Sequence, residues 1–531
     1  MRCPCSPKTL ALLLLVCCFS LDGSAGLQNV QVGGEVRIRG NYWYDTFNGG
    51  LAPGVVRPVA RIASGFFTGR AIGDAMGGQS PTSFYDWDSA GADYRNTMQR
   101  TLLHVTADFT DGVSAHIALE SLDLWGEDFR SNYVTGADGR AVSADDVEVY
   151  EAYIDASEVF GYPIRLRVGR QELVLGRGWL VGNNTGLPEF SGLSFDGVRL
   201  TYAVDDVTVD AFWTKLAERS PIEQDGDIDL YGLYGSYTGI ENVVLDAYWL
   251  FVRDARDVED TPGDPLRDLV EDLLGVDGYG TTRLHTLGAR VAGTWGGFDL
   301  EAEAAYQFGR ADQIGQLFRP FTYGDNGANF DALAATLELG YTFDMAWQPR
   351  IFAGAAYFEG EDNRDLTFWE WLSPFDRPQA SVSFNRLFSD VSYSYFVDEI
   401  AQISNVYTLR AGASAAPTEQ LTLKAHVAYF QALEAFDLPR PMVTILGQPL
   451  GLASPFTFFT RESDDDLGWE TNLAATYRYS DDLEVEAGWS HLFTGDGLGD
   501  GNYVDFNGLL INRGTDSQDA DYLYWQFLLR F

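Results

Sequence analysis

Several segments of the chain alternate between apolar and polar residues, one position at a time. In 298–308, apolar side chains occupy every second position from Phe298 to Phe308, and Asp299, Glu301 and Glu303 lie between them. The segments 421–429 and 483–489 show the same alternation. A period of two predicts β-strands that have one apolar and one polar face.

Short connections between these segments give the strand count. They lie near 111–112, 161–163, 205–206, 239–242, 296–297, 344–349, 417–420 and 481–482. Eight hairpins account for sixteen strands, and single strands at Glu35–Tyr44 and Asp521–Phe531 bring the expected total to about eighteen.

Nine longer connections alternate with the short turns. They cover 45–95, 121–145, 174–193, 215–228, 252–284, 309–331, 359–405, 432–467 and 493–519. Short periplasmic turns and long external loops are typical of outer-membrane barrels. The pattern therefore predicts an all-β fold, one transmembrane antiparallel β-barrel whose apolar face meets lipid and whose termini lie in the periplasm. A soluble β-sandwich or solenoid is the alternative, but its strands would be shorter and its connections would not alternate in length.

The first 25 residues differ from the rest of the chain. Arg2 and Lys8 precede an apolar run at 10–19, and the small residues at 23–25 follow it. This order predicts a cleaved signal peptide at 1–25 and a barrel at 26–531. No later stretch approaches the roughly 18 apolar residues of a transmembrane helix. A lipoprotein anchored at Cys17 or Cys18 is the alternative, and the residues before these cysteines fit a lipidation site poorly.

Composition narrows the function classes. The chain has 77 acidic and 36 basic residues and a formal net charge of −41, which argues against nucleic-acid binding because phosphates need basic partners. All four cysteines lie in the leader, so the mature chain has none for disulfides, thiolate metal sites or nucleophilic catalysis.

The last predicted strand carries an additional signal. Apolar residues occupy every second position from Leu523 to Phe531. This pattern resembles the C-terminal assembly signal of bacterial outer-membrane proteins. An ordinary amphipathic edge strand is the alternative.

Strand parity places many charged side chains inside the barrel, where inward residues set selectivity. The arginines expected to line the lumen are Arg37, Arg39, Arg100, Arg165, Arg167, Arg199, Arg290, Arg410 and Arg478. The acids expected there are Asp108, Glu120, Asp210, Glu301, Glu303, Glu470, Glu484 and Glu486. Arginine suits carboxylate recognition because its planar fork binds both oxygens. The alternative is that these arginines pair with acids on neighbouring strands and hold the wall, and both interpretations stay open.

Signatures of enzymes are absent from the sequence. It contains no nucleophile elbow, zinc-protease motif or phosphate loop, and its five histidines lie one to a strand. We therefore predict no catalytic activity and no cofactor. A barrel lipase or protease with Asp, His and Ser on its wall is the alternative from another class. Asp496, Asp500 and Asp505 alternate with glycines in a loop that suits a solvated acidic segment better than a calcium site.

Several co-linear motifs resemble the alginate-export porin family. They lie at 150–155, 166–176, 194–199 and 209–212, and again at 384–388, 405–413, 477–480 and 491–493. The resemblance extends over about 33–531 and implies an eighteen-stranded barrel that passes an anionic uronate polysaccharide through an arginine-lined constriction. It carries Arg167, Arg170 and Arg199 over as pore-lining residues. Arg170 falls off the polar parity of its strand, so a bulge or a position above the membrane would be needed.

The leading hypothesis is a passive or complex-coupled conduit for an anionic polysaccharide in the outer membrane of a Gram-negative-type bacterium. Its partners would be outer-membrane lipid and lipopolysaccharide, the polysaccharide, and, for a coupled conduit, periplasmic export or synthesis components. The second hypothesis is a general or substrate-selective porin for small solutes.

Overall fold

The computed structural model describes most of the chain after residue 25. The described residues are 26–47, 92–125, 147–186, 190–218, 227–255, 281–310, 328–360, 380–398, 403–433, 465–496 and 519–531, with short strand pieces at 444–445, 448–449, 504–505 and 510–511. The predicted signal peptide at 1–25 lies outside this set, as do most residues of the long loops. None of the helices in the described part is long and apolar enough to cross a membrane.

Eighteen antiparallel strands make up the barrel. They are β1 Leu27–Phe47, β2 Ala92–Phe109, β3 Val113–Leu124, β4 Glu148–Ala156, β5 Ile164–Gln171, β6 Phe195–Val204, β7 Val207–Ala217, β8 Ile228–Ile240, β9 Val243–Asp254, β10 Thr282–Trp295, β11 Phe298–Arg310, β12 Ala328–Thr342, β13 Arg350–Phe358, β14 Val406–Ala415, β15 Leu421–Ala432, β16 Asp466–Arg478, β17 Leu483–Thr494 and β18 Ala520–Arg530. The predicted all-β barrel and its strand number are confirmed.

The first and last strands close the sheet on itself. β1 pairs with β18 from Glu35 opposite Arg530 to Tyr44 opposite Asp521, and each other strand pairs with its neighbours in sequence. Closure gives the edge strands partners, which a membrane requires because lipid offers no hydrogen bonds to an open sheet edge.

The eight short turns fall where the sequence places them. Three of them contain only two residues, at 205–206, 241–242 and 296–297. In the last, Gly296 and Gly297 have φ of 55° and 93°, the left-handed backbone that a two-residue hairpin needs and glycine supplies without strain.

Side chains alternate between the lumen and the outer surface as their parity predicts. Along β11, Glu303, Ala305 and Gln307 are buried on the inside, whereas Phe298 and Tyr306 are exposed on the outside. Further large apolar residues on the outer surface include Leu333, Leu337, Leu339, Leu409, Leu473 and Phe527. The outer surface is thus an apolar belt suited to lipid.

We expect charged substitutions to destabilise the barrel at outward-facing positions and to be tolerated at inward-facing positions. Leu337→Arg places a cation on the outer face in the middle of β12, and it should lower the free energy of unfolding in lipid vesicles by about 2–4 kcal/mol. Ala292→Arg is the matched control, because Ala292 faces the lumen and lies opposite Glu301. Equal losses from the two variants, measured by urea titration, would contradict the assigned faces.

Candidate functional site

Two long connections fold into the barrel instead of standing above it. We call them the β5–β6 segment, described at 172–186 and 190–194, and the β13–β14 segment, described at 383–398 and 403–405. Both contact inward-facing side chains from several sides of the wall. Together they carry many of the buried apolar side chains, among them Trp179, Phe384 and Phe396.

The β5–β6 segment crosses the lumen and returns. Gly176 lies against Arg290 of β10, and the guanidinium of Arg177 donates to Thr336 Oγ1 of β12 at 3.3 Å. On the other side, Arg37 Nη1 of β1 donates to the carbonyl of Thr185 at 2.7 Å. The segment is therefore fixed to distant parts of the wall.

The β13–β14 segment is held by backbone and side-chain bonds to three strands. Gln307 of β11 both donates to and accepts from the backbone of Asn385, each at 2.7 Å. The N–H groups of Tyr395 and Phe396 donate to the carboxylate of Glu470 on β16 at 2.7 and 3.2 Å. The Tyr395 hydroxyl lies 3.3 Å from that of Tyr524 on β18.

The two segments also bind each other. Val181 and Phe388 form an isolated parallel β-bridge, in which Gly182 N–H donates to the Phe388 carbonyl and Phe388 N–H to the Leu180 carbonyl, each at 2.9 Å. A side chain at Gly182 would place its Cβ 2.3 Å from the Cβ of Asp390, so this approach needs glycine. The paired segments form one unit across the lumen.

Two polar contacts fix this unit from within. Trp179 Nε1 donates to the Tyr393 hydroxyl at 3.0 Å, and that hydroxyl lies 3.0 Å from Thr336 Oγ1 of the wall. The Asp390 carboxylate accepts the Gly186 N–H at 3.2 Å, and burial raises the pKa of Asp390 to about 6. We therefore expect the Asp390 carboxylate, which links the two segments, to take up a proton under mildly acidic conditions.

Three of the predicted pore arginines share one stretch of wall on β4–β7. Arg167 binds Asp155 through two nitrogens at 3.0 and 2.8 Å, and Arg165 binds the same carboxylate. Arg199 binds Asp210 in the same two-pronged way at 2.9 and 2.8 Å. Arg167 and Arg199 lie directly opposite each other in the register of β5 and β6. Three guanidiniums therefore bind two carboxylates here, and a third acid, Glu151 of β4, interacts with Arg167 through its charge.

The other predicted arginines divide among the rest of the wall. Arg290 lies between Asp246 at 2.6 Å and Glu301 at 2.5 Å. Arg410 binds Glu338 at 3.1 Å and lies over the ring of Tyr393 at 4.6 Å. Both side chains pair with acids of other strands; Arg410 also contacts the β13–β14 segment, and Arg290 lies against the β5–β6 segment.

The inward arginines of β1, β2 and β16 complete the set. Arg37 binds Glu35 at 3.1 Å, and Arg39 donates to Gln526 of β18 at 3.1 Å. Arg100 binds Glu120. Arg478 lies opposite Glu484 near the periplasmic turn. Most arginine charge in the lumen is thus balanced by acids on the wall, as the wall-holding interpretation expects.

Arg170 does not join this group. It lies on the outer face of β5, is largely exposed, and binds Asp196 of β6 at 2.8 and 2.9 Å. The strand contains no bulge that would turn Arg170 inward, because the pairing of β5 with β4 and β6 is regular through this residue.

Sequence parity does not reveal that the two segments enter the lumen. Their best sequence signal is a group of large apolar residues within each loop: the run at 179–181, and Phe384, Leu387 and Phe388. Among the described residues, no group of three or more His, Cys, Asp or Glu side chains has the arrangement of a metal site. The loop around Asp500 lies outside them.

We expect the Glu470 carboxylate to hold the β13–β14 segment against the wall. Glu470→Ala removes the acceptor of two buried N–H groups, a loss of about 1–3 kcal/mol for each. The freed segment should leave a wider passage, which single-channel conductance would report as an increase. Glu484→Ala on β17 is the control, because that acid lies at the periplasmic end of the lumen. Folded Glu470→Ala protein with unchanged conductance would show that other contacts suffice.

Solved structures and a family model both resemble this chain. Solved structures of similar fold include Pseudomonas aeruginosa OccK8 (OprE), with 13% identity over 94% of this chain and 98% of that chain and a TM-score of 0.46. OccK9 (OpdG) of the same organism has 12% identity over 95% and 99%, with a TM-score of 0.47. At this identity the likeness extends to no particular function. No curated protein shows a significant match. The family model for alginate export matches residues 88–509, which is most of the chain, and the protein belongs to the alginate export family.

Proposed function

We propose that this protein passes an anionic, uronate-type polysaccharide across the outer membrane of a Gram-negative-type bacterium. The family and the closed barrel support an outer-membrane channel. The cargo is our inference. On this proposal the partners are outer-membrane lipid and lipopolysaccharide, the polysaccharide, and periplasmic export or synthesis components.

The arginine wall of β4–β7 is the observation that carries the proposal. Arg165, Arg167 and Arg199 face two partner carboxylates, and half of the Arg165 side chain is exposed. A guanidinium fork that already binds a carboxylate in two-pronged geometry has the shape that a uronate carboxylate needs. A passing chain can exchange one carboxylate for another along this wall.

Close to the arginine wall, we expect its electrostatic field to outweigh that of the acidic residues on the outer loops. Two unit charges about 4 Å apart interact by about 4 kcal/mol at an effective dielectric near 20. Acids on outer loops act through water, where physiological salt screens charge beyond roughly 8–10 Å. We infer that the guanidiniums on β4–β7 govern which ions pass close to them.

A small-solute channel is the second candidate, and the paired segments are the observation that favours it. They cross the lumen and attach to β1, β11, β12, β16 and β18, which narrows the passage. A small solute needs only the space that remains, whereas a wide chain would require the segments to yield. Either candidate is a channel, and we propose that the protein is not an enzyme.

We expect Arg167→Gln with Arg199→Gln to lower the preference for anions, because the wall then keeps its carboxylates and loses two of three cations. The measurement is the single-channel reversal potential in a salt gradient. Block by uronate oligomers should weaken in parallel. Arg170→Gln is the matched control, since this arginine has the same charge and lies outside the lumen.

Two results would count against the proposal. A wild-type channel that prefers cations and ignores uronate oligomers would leave the small-solute candidate. An equal change in Arg170→Gln would show that the effect does not arise in the lumen.

A further inference from the structure

One side of the periplasmic rim is strongly apolar. It comprises the β10–β11 turn and the β12–β13 turn, which we call the apolar rim. Trp295, Phe298, Met345 and Trp347 are 45%, 60%, 59% and 62% exposed, and Phe343 lies beside them at 36%. Large apolar side chains with this much exposure mark a surface that contacts a membrane or another protein.

The apolar rim is an ordered structure. Phe298 packs on Tyr341 with ring centroids 4.6 Å apart, and Tyr341 packs on Phe343 at 4.8 Å. Backbone bonds from Phe343 N–H to the Pro349 carbonyl at 2.9 Å and from Gln348 N–H to the Met345 carbonyl at 3.0 Å shape the turn. Its tip is also bound to the next turn, because Ala416 N–H donates to the Trp347 carbonyl at 2.8 Å.

Most other periplasmic turns are short and polar. Acidic residues occupy them at Asp111, Asp205, Asp206, Glu241, Glu419, Asp481 and Asp482. The β4–β5 turn, with exposed Phe160 and Tyr162, is a second apolar turn. The β12–β13 turn runs through seven residues, 343–349, and contains one acid, Asp344. Apolar character is therefore a property of particular turns and not of the whole rim.

The apolar rim continues the lipid-facing surface without a break. Phe298, Tyr341 and Ile351 belong to the outward rows of β11, β12 and β13. The charged residues of the same strand ends point inward, where Arg350 binds Asp299 and Glu338 at 2.5 and 2.9 Å. No belt of charge separates the turn from the apolar surface above it among these described strands.

We propose that the β12–β13 turn is immersed in the periplasmic leaflet of the outer membrane, with lipid as the occupant of the apolar rim. The inference rests on the proposed outer-membrane location. Its chemistry is that of the headgroup boundary, where tryptophan and tyrosine are enriched and apolar side chains are buried. A periplasmic protein with an apolar face is the competing occupant, and the following experiment separates the two.

The mature chain contains no cysteine, so single-cysteine variants report one position each. We would reconstitute Met345→Cys and Trp347→Cys in lipid nanodiscs and follow reaction with a membrane-impermeant maleimide. Asp206→Cys, in a polar periplasmic turn, is the exposed control, and Leu337→Cys, on the outer face of β12, is the lipid-buried control. Heat-modifiable gel migration establishes that each variant is folded, and rates in urea correct for intrinsic reactivity.

Immersion predicts that Met345→Cys and Trp347→Cys react at least ten-fold more slowly than Asp206→Cys, at rates closer to that of Leu337→Cys. Both variants reacting as fast as Asp206→Cys in purified nanodiscs would overturn the proposal and leave the rim free for a protein. Fast reaction at Leu337→Cys would instead overturn the membrane location itself, which distinguishes failure of the premise from failure of the inference.

Discussion

The structure depends on the need to pair every backbone N–H and C=O group at membrane depth. The β1–β18 seam meets that need, with continuous pairing from Glu35 opposite Arg530 to Tyr44 opposite Asp521. Once the sheet is closed, each strand has one row of side chains in lipid and one row inside. The apolar rim extends the first row, and the candidate site is built from the second.

A similar constraint acts inside the barrel, where buried charges need partners. Arg290 meets it with acids on the two adjacent strands, Arg410 meets it with Glu338 two strands away, and the Glu470 carboxylate meets it with backbone N–H groups of the β13–β14 segment. Within the segment, Arg386 is buried against Asp398 at 2.6 Å. The β4–β7 wall differs, because a single carboxylate, that of Asp155, serves two arginines.

The barrel could be predicted from the sequence because a period of two is a local pattern, which each strand shows within a few residues. The sequence also showed that Arg170 falls off the polar parity of its strand. The pairing of the two segments could not be predicted, because the contact of Val181 with Phe388 joins residues far apart in the chain and depends on the closed wall around them. The ion pairs were predictable only as a class, since choosing Asp155 as the shared partner requires the register of β4 with β5.

We propose that the guanidiniums of the β4–β7 wall select uronate chains. The most direct measurement is entry of uronate oligomers into liposomes that contain the wild-type protein, compared with neutral oligomers of equal length. We expect faster entry of the uronates, and a difference that shrinks as salt is raised because the wall charge is then screened. Equal entry of both, or faster entry of the neutral oligomers at low salt, would contradict it.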